Sequence, residues 1–146
     1  MYIDKQTRLC DPQAFSTDAC SEHTYDTGGA GIETGEGEPL GIGIQVTVAA
    51  DYTTGDETYE FQAVQDSDEA LGSPTVLALI QPTAAQLSLG SRHIIPIPPG
   101  SITEQYLGLY FNGGGTSPTV TIKAHIAPLS MLGQWKAHAD NVTISG

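Results

Sequence analysis

Hydrophobic and polar residues alternate along two long stretches of this chain. From residue 40 to residue 48 every second residue is apolar, and the residues between are glycine or polar. The same alternation recurs over residues 120–126, with Thr, Lys and His between the apolar positions. A period of two places one set of side chains on each face of a strand, so both stretches are predicted to be half-buried antiparallel strands. No stretch of comparable length has helical periodicity.

Shorter apolar stretches predict the remaining strands, at residues 59–63, 76–80, 94–97 and 106–111. The stretch at 76–80 is more fully apolar than the others. Pro96, Pro98 and Pro99 prevent the strand at 94–97 from pairing fully on both sides, which predicts an edge strand. About eight short strands without helices between them are typical of an all-β protein. The predicted fold is a jelly-roll-like antiparallel β-sandwich.

The first 39 residues differ in composition from the rest. Asp11-Pro12 suits the start of a single helical turn, and the runs Gly-Gly-Ala-Gly at 28–31 and Gly-Glu-Gly-Glu at 35–38 favour loop. We therefore predict an irregular N-terminal arm over residues 1–39 and a β-sandwich body over 40–146, both in the same domain. On this interpretation, deletion of residues 1–25 leaves the body folded and weakens binding to a partner.

The charge balance restricts the classes of partner. Seventeen acidic and five basic residues give a formal net charge of −12. Binding to nucleic acid requires several Lys and Arg aligned against phosphates, and here the basic residues are scattered. The same charge disfavours anionic membrane surfaces, and no apolar run of about 18 residues predicts a membrane span. We expect neither nucleic acid nor membrane as a partner.

Cys10 and Cys20 are the only cysteines. The sequence after Met1 does not resemble a signal peptide, which favours synthesis in a reducing cytoplasm where both thiols stay free. A Cys10–Cys20 disulfide is the alternative, and the sequence leaves the two open.

No grouping of residues predicts catalysis. Asp66, Asp68 and Glu69 lie close enough in sequence to ligate Ca²⁺, but this stretch lacks the glycine and distant glutamate of an EF-hand, and a solvated acidic turn is the alternative. The four histidines have no metal-ligand spacing, and neither a Gly-x-Ser-x-Gly motif nor a P-loop occurs. We predict no enzyme activity, no catalytic or metal-binding residues, no cofactor and no small-molecule substrate.

Five motifs in order carry a resemblance to a known family. They are Met-Tyr-Ile-Asp-Lys at 1–5, Gly-Glu-Pro-Leu at 37–40, Gln-Asp-Ser-Asp-Glu-Ala-Leu-Gly-Ser-Pro-Thr at 65–75, Pro-Pro-Gly at 98–100 before Tyr-Leu-Gly-Leu-Tyr at 106–110, and Trp135 followed by Asp-Asn-Val-Thr-Ile at 140–144. Together they resemble the Bbp16-type capsid cement (decoration) proteins of tailed bacteriophages. Residues 10–36, with both cysteines and the glycine-rich run, depart from the family pattern.

The resemblance implies a structural virion protein made in the host cytoplasm. It would bind the outer surface of an icosahedral phage head and clamp neighbouring major capsid proteins, as a dimer or trimer. Tyr2, Ile3, Asp4 and Lys5 in the leading segment are candidate interface residues, as is Trp135, whose alternative role is to plug the open end of the sandwich. The alternative function is a carbohydrate-binding jelly-roll module of a phage tail fibre or secreted enzyme, which predicts an exposed aromatic platform.

Overall fold

A computed structural model describes residues 8–27, 40–98 and 101–128. These residues form nine β-strands and no helix. The strands are β1 (Arg8–Phe15), β2 (Ala19–Cys20), β3 (Tyr25–Asp26), β4 (Leu40–Val48), β5 (Thr58–Asp66), β6 (Thr75–Ile80), β7 (Arg92–Pro96), β8 (Tyr106–Gly114) and β9 (Val120–Pro128).

The strands form two antiparallel sheets. The first sheet has the order β1-β9-β4-β7, and the second has the order β2-β8-β5-β6, with β3 pairing β8 beside β2. Most neighbouring strands are distant in sequence, so connections pass repeatedly between the sheets. The predicted all-β sandwich is confirmed, and β7 is an edge strand, as its prolines require.

The alternating stretches supply the core of the first sheet. In the β4–β9 ladder, Ile42 lies opposite Ile126 and Ile44 opposite Ala124, and all four side chains are buried. The glycine and polar residues between them point to the other face because side-chain direction alternates along a strand. Periodicity in the sequence thus sets which face of the sheet is buried.

Aromatic rings dominate the core contribution of the second sheet. Phe61 on β5 lies opposite Phe111 on β8, and their ring centroids are 5.5 Å apart. Phe15 from β1, in the first sheet, packs on Phe111 with a centroid distance of 5.1 Å, and Tyr59 lies 6.1 Å from the same ring. Phe111 therefore joins the two sheets at the centre of the core.

Residues 8–15 differ from the sequence prediction, because they form β1 and not an irregular arm with a helical turn. Leu9, Cys10 and Phe15 are buried in the core, and β1 pairs with β9. The β1–β9 ladder shifts register between Arg8 and Cys10, and again between Cys10 and Gln13, where Asp11 and Pro12 interrupt it. A proline is tolerated here because β1 is an edge strand. Deleting residues 1–25 would remove part of the core, contrary to the sequence-based expectation.

Gln13 ties β1 to the second sheet. Its Nε2 donates to the carbonyl of Cys20 at 3.1 Å, and its Oε1 accepts from the backbone N–H of Glu22 at 2.8 Å and from Cys10 Sγ at 3.2 Å. One side chain thus satisfies groups from both sheets, which fixes how the chain passes from β1 to β2.

Candidate interaction surface

The exposed edges of a sandwich are the first places to look for a binding surface, since edge strands present unpaired backbone N–H and C=O groups. β1 carries Arg8, Asp11 and Pro12, and β7 carries Arg92 and Pro96, which are residues that oppose pairing with another strand. β2 and β3 are only two residues long each. Three of the four sheet edges in the described part of the chain are therefore protected.

β6 lacks these protective residues. It is six residues long, has the sequence Thr-Val-Leu-Ala-Leu-Ile, and contains neither charge nor proline. Within the described ranges it pairs only with β5, so no described strand pairs with its outer side. We refer to Thr75–Ile80 with its unpaired side as the β6 edge.

Two apolar side chains are exposed beside this edge. Leu79 lies opposite Gln62 and Val76 opposite Val64. Because Gln62 and Val64 are two residues apart on β5, Leu79 and Val76 share the outer face of the sheet. Their side chains are 46% and 45% exposed, whereas Ile80 packs against the core. The β6 edge therefore combines unpaired backbone with apolar side chains that a partner could bury.

A bend in β6 restricts which strands can pair with it. Ala78 lies opposite Ala63 and Val76 opposite Val64, so Leu77 has no partner in the ladder. An extra residue of this kind is a β-bulge, which bends the strand and increases its twist. A partner must follow the same bend, so the surface favours a particular strand over indiscriminate association.

Charge is distributed unevenly between the two sheets. The strands of the first sheet carry Arg8, Arg92 and Lys123 against the single acid Asp11. The strands of the second sheet carry acids without any basic residue, namely Asp26, Glu60 and Asp66. In a chain of net charge −12, the β6 edge carries no charge of its own and therefore adds no repulsion toward an acidic partner or a second copy.

The acidic stretch after β5 is a turn held by its own carboxylates. Asp66 accepts hydrogen bonds from the backbone N–H groups of Ser73 at 2.8 Å and Asp68 at 3.2 Å, and Asp68 accepts one from Ala70 at 3.2 Å. The bond from Ser73 is the largest cause that lowers the pKa of Asp66. These oxygens support the backbone, and the described residues contain no group of three potential metal ligands. These hydrogen bonds give Asp66 and Asp68 a structural role in the turn.

Leu71 anchors that turn to the outer face of the second sheet. Its backbone has φ of 55°, which is rare for a non-glycine residue, and its side chain is buried. The side chain lies over Gly108, where an added Cβ would be 2.4 Å from Leu71 Cδ1. Gly108 therefore provides the space that Leu71 occupies.

Both cysteines are free thiols in the structure. Cys10 faces the core, and burial raises its pKa well above the usual range. Cys20 lies on the outer face of the second sheet and donates to the carbonyl of Leu71 at 3.7 Å. The disulfide that the sequence leaves open is not formed.

The candidate interface residues named from the sequence, Tyr2, Ile3, Asp4, Lys5 and Trp135, lie outside the described residues. The β6 edge was missed as an interface because an apolar stretch does not reveal whether a strand has one neighbour or two. Across the described ranges, no helix is long and apolar enough to cross a membrane.

The described residues define a small all-β protein, an antiparallel β-sandwich. The chain is a member of the Bbp16 family, whose match covers residues 9–126. Membership indicates a structural component of a bacteriophage virion. No curated protein matches the chain.

The solved structures to which the chain is similar include two with much longer chains. One is a Clostridium thermocellum structure of the CBM22-1 and GH10 modules of endo-1,4-β-D-xylanase 10B complexed with xylohexaose, at 10% identity and a TM-score of 0.40. The other is infectious bursal disease virus, Gt strain, at 14% identity and a TM-score of 0.33. The alignments cover 88% and 82% of this chain but only 28% and 30% of those chains.

Proposed function

We propose that this protein is a capsid cement protein, which binds the outer surface of a phage head and holds neighbouring major capsid proteins together. The observation that carries the proposal is membership of the Bbp16 family over residues 9–126, since the sequence resembles the cement proteins of that type. On this proposal the protein acts by contact alone and catalyses no reaction.

The β6 edge is the surface through which we propose that a coat protein is bound. An extended segment of the coat protein would add to β6 as a further antiparallel strand, with main-chain hydrogen bonds for affinity and side-chain contacts for specificity. Full burial of a Val or Leu side chain stabilises by about 1.5–3 kcal/mol. Val76 and Leu79 are each nearly half exposed, so covering each would contribute about 1 kcal/mol.

Several such contacts per subunit would make the clamp effective. Once one site is occupied, the effective concentration at a second site rises, and the combined affinity exceeds that of either contact. A protein that binds the assembled shell in preference to its separated parts stabilises the shell by about 2.7 kcal/mol per site at about a hundredfold excess over Kd. The sum over the shell opposes the outward pressure of packaged DNA.

Charge supports placement on the outside of the head. A subunit of net charge −12 would be repelled by packaged DNA, which is itself a polyanion. The outer surface avoids that repulsion.

Co-sedimentation with purified coat shells tests the proposal. Wild-type protein at micromolar concentration should pellet with mature shells and raise their melting temperature. The double variant Val76→Lys/Leu79→Lys places two charges beside the β6 edge, and its Kd for shells should rise by about tenfold or more. Leu89→Lys is the matched control, because Leu89 is 71% exposed and precedes Gly90, whose N–H bonds to Val46 of the first sheet.

Failure of the wild-type protein to bind mature shells would reject the cement function. Binding that the double variant retains at wild-type strength would exclude the β6 edge and leave the function standing. Light scattering of the isolated protein tests self-association into a dimer or trimer, which the proposal includes. If the wild type is oligomeric and the double variant is monomeric, the β6 edge is the contact between two copies of this chain.

A further inference from the structure

A cleft of about 630 Å³ lies on the second sheet, near the end of β6. Its walls come from the loop before β5, from β5 and β8, and from the segment that follows β6. Among the side chains that line it are those of Tyr52, Glu60, Gln81, Pro82 and Asn112. The volume falls in the range of about 300–1,000 Å³ that is usual for sites binding small molecules.

The polar groups of the cleft include the carboxylate of Glu60 and the amides of Gln81 and Asn112, and the amide of Gln62 holds that carboxylate from outside the lining. Glu60 accepts hydrogen bonds from Gln62 Nε2 and from Gln81 Nε2, the latter at 2.8 Å. Asn112 lies directly opposite Glu60 in the β5–β8 ladder and also bonds to it. These bonds, that from Gln62 foremost, lower the pKa of Glu60. The carboxylate is therefore ionised at neutral pH and held in one orientation.

Donors and acceptors remain for a ligand. An amide offers two N–H donors and a carbonyl acceptor, so each of these amides retains hydrogen-bonding capacity after it has bonded to Glu60. Sugar hydroxyls both donate and accept, and neighbouring hydroxyls suit planar amide and carboxylate groups. The array thus presents complementary groups to a ligand rich in hydroxyls.

The lining of the cleft also has apolar residues. Tyr52 is 57% exposed, and Pro82, Ala84 and Ala85 continue the surface. An exposed tyrosine offers an aromatic face with little conformational entropy to lose. Apolar and planar polar groups in one lining suit a sugar ring, which has C–H groups on its faces and hydroxyls around its rim.

We infer that this cleft binds a neutral oligosaccharide. Glu57 and Glu60 both line it and no basic residue does, which disfavours anionic sugars. A cationic ligand would need a carboxylate open to it, whereas the oxygens of Glu60 already accept bonds from amides. The residues that line the cleft lie outside the β6 edge and its facing strand pairs, so the cement function does not depend on this inference.

Titration of the full-length protein with soluble glycans tests the inference. Cellohexaose and maltohexaose serve as neutral probes, oligogalacturonate as the anionic control, and spermidine and a lysine-rich peptide as cationic controls. We expect a Kd of about 1 mM or tighter for a neutral glycan, with chemical-shift changes in the side-chain amides of Gln81 and Asn112. Tyr52→Ala and Glu60→Ala should each weaken binding by about tenfold or more.

Tyr106→Ala is the matched control, because Tyr106 lies at the opposite end of β8 from Asn112. It should bind as the wild type does. No binding of either neutral glycan at several times about 1 mM would overturn the inference. So would binding of the cationic probes alone, or glycan binding that both cleft variants retain. Because Tyr52 is exposed, its variant stays informative even if Glu60→Ala destabilises the fold.

Discussion

Phe15 tests whether the start of the chain is part of the core. Its side chain is 2% exposed and packs on Phe111 across the two sheets. Replacing a buried Phe by Ala costs about 3–5 kcal/mol through lost burial and the cavity that remains. Domains of this kind unfold with about 5–15 kcal/mol in total. Phe15→Ala should therefore remove a large share of the free energy of unfolding.

Urea denaturation and thermal melting, both followed by circular dichroism, measure this loss. A change of 1 kcal/mol shifts the melting temperature of a domain near this size by about 2–4 °C, so a drop of about 6–20 °C is expected. The double-mutant cycle of Phe15→Leu with Phe111→Leu should give a coupling energy of about 0.5–1.5 kcal/mol for the ring pair.

Leu89→Ala is the control, since a side chain that is 71% exposed should change stability by no more than about 0.5 kcal/mol. A loss below about 1 kcal/mol for Phe15→Ala would refute the reasoning. It would mean that β1 detaches from the body at little cost, as the sequence-based interpretation of an arm supposes.

Three further outcomes follow from the described contacts. Gly108→Ala should lower the free energy of unfolding by about 1–3 kcal/mol, because its Cβ would meet Leu71. In a chain that also carries Leu71→Ala, the same substitution should lower it by less, and urea denaturation of the four proteins checks this. Burial lowers the pKa of His125 from 6.5 to about 4. Stability should therefore fall as pH drops between those values, because only the unfolded chain takes up the proton, and His125→Gln should flatten the melting temperature between about pH 7 and about pH 5. Unreduced protein should show two thiols to a thiol reagent once denatured, with Cys10 the slower in the native state; fewer than two would indicate a disulfide.

The strands of the core could be predicted from the sequence because a strand that is buried on one face has an apolar residue at every second position. β4 has that pattern over its whole length, and β9 has it from Val120 to Ile126. β1 could not be recognised, since Asp11 and Pro12 break the alternation of apolar and polar residues. The position of Leu71 over Gly108 joins residues far apart in sequence and leaves no periodic signal.

The candidate surfaces were harder to predict for a related reason. The apolar stretch in β6 could be recognised as a strand, but the number of its neighbours is a property of the sheet order. The amide and carboxylate array at Glu60 combines residues of β5, β8 and the segment after β6. Glu60 and Asn112 become neighbours only through the pairing of β5 with β8, which the sequence does not reveal.

The pairing of β1 with β9 has a mechanical consequence. Arg8 lies opposite His125, so the outer end of β1 and the last residues of β9 are at the same end of the ladder. Tension applied between Arg8 and Pro128 would open that ladder one hydrogen bond at a time, which is the weak direction of an antiparallel pair. A load applied across a sheet, at right angles to its strands, would instead strain many hydrogen bonds together.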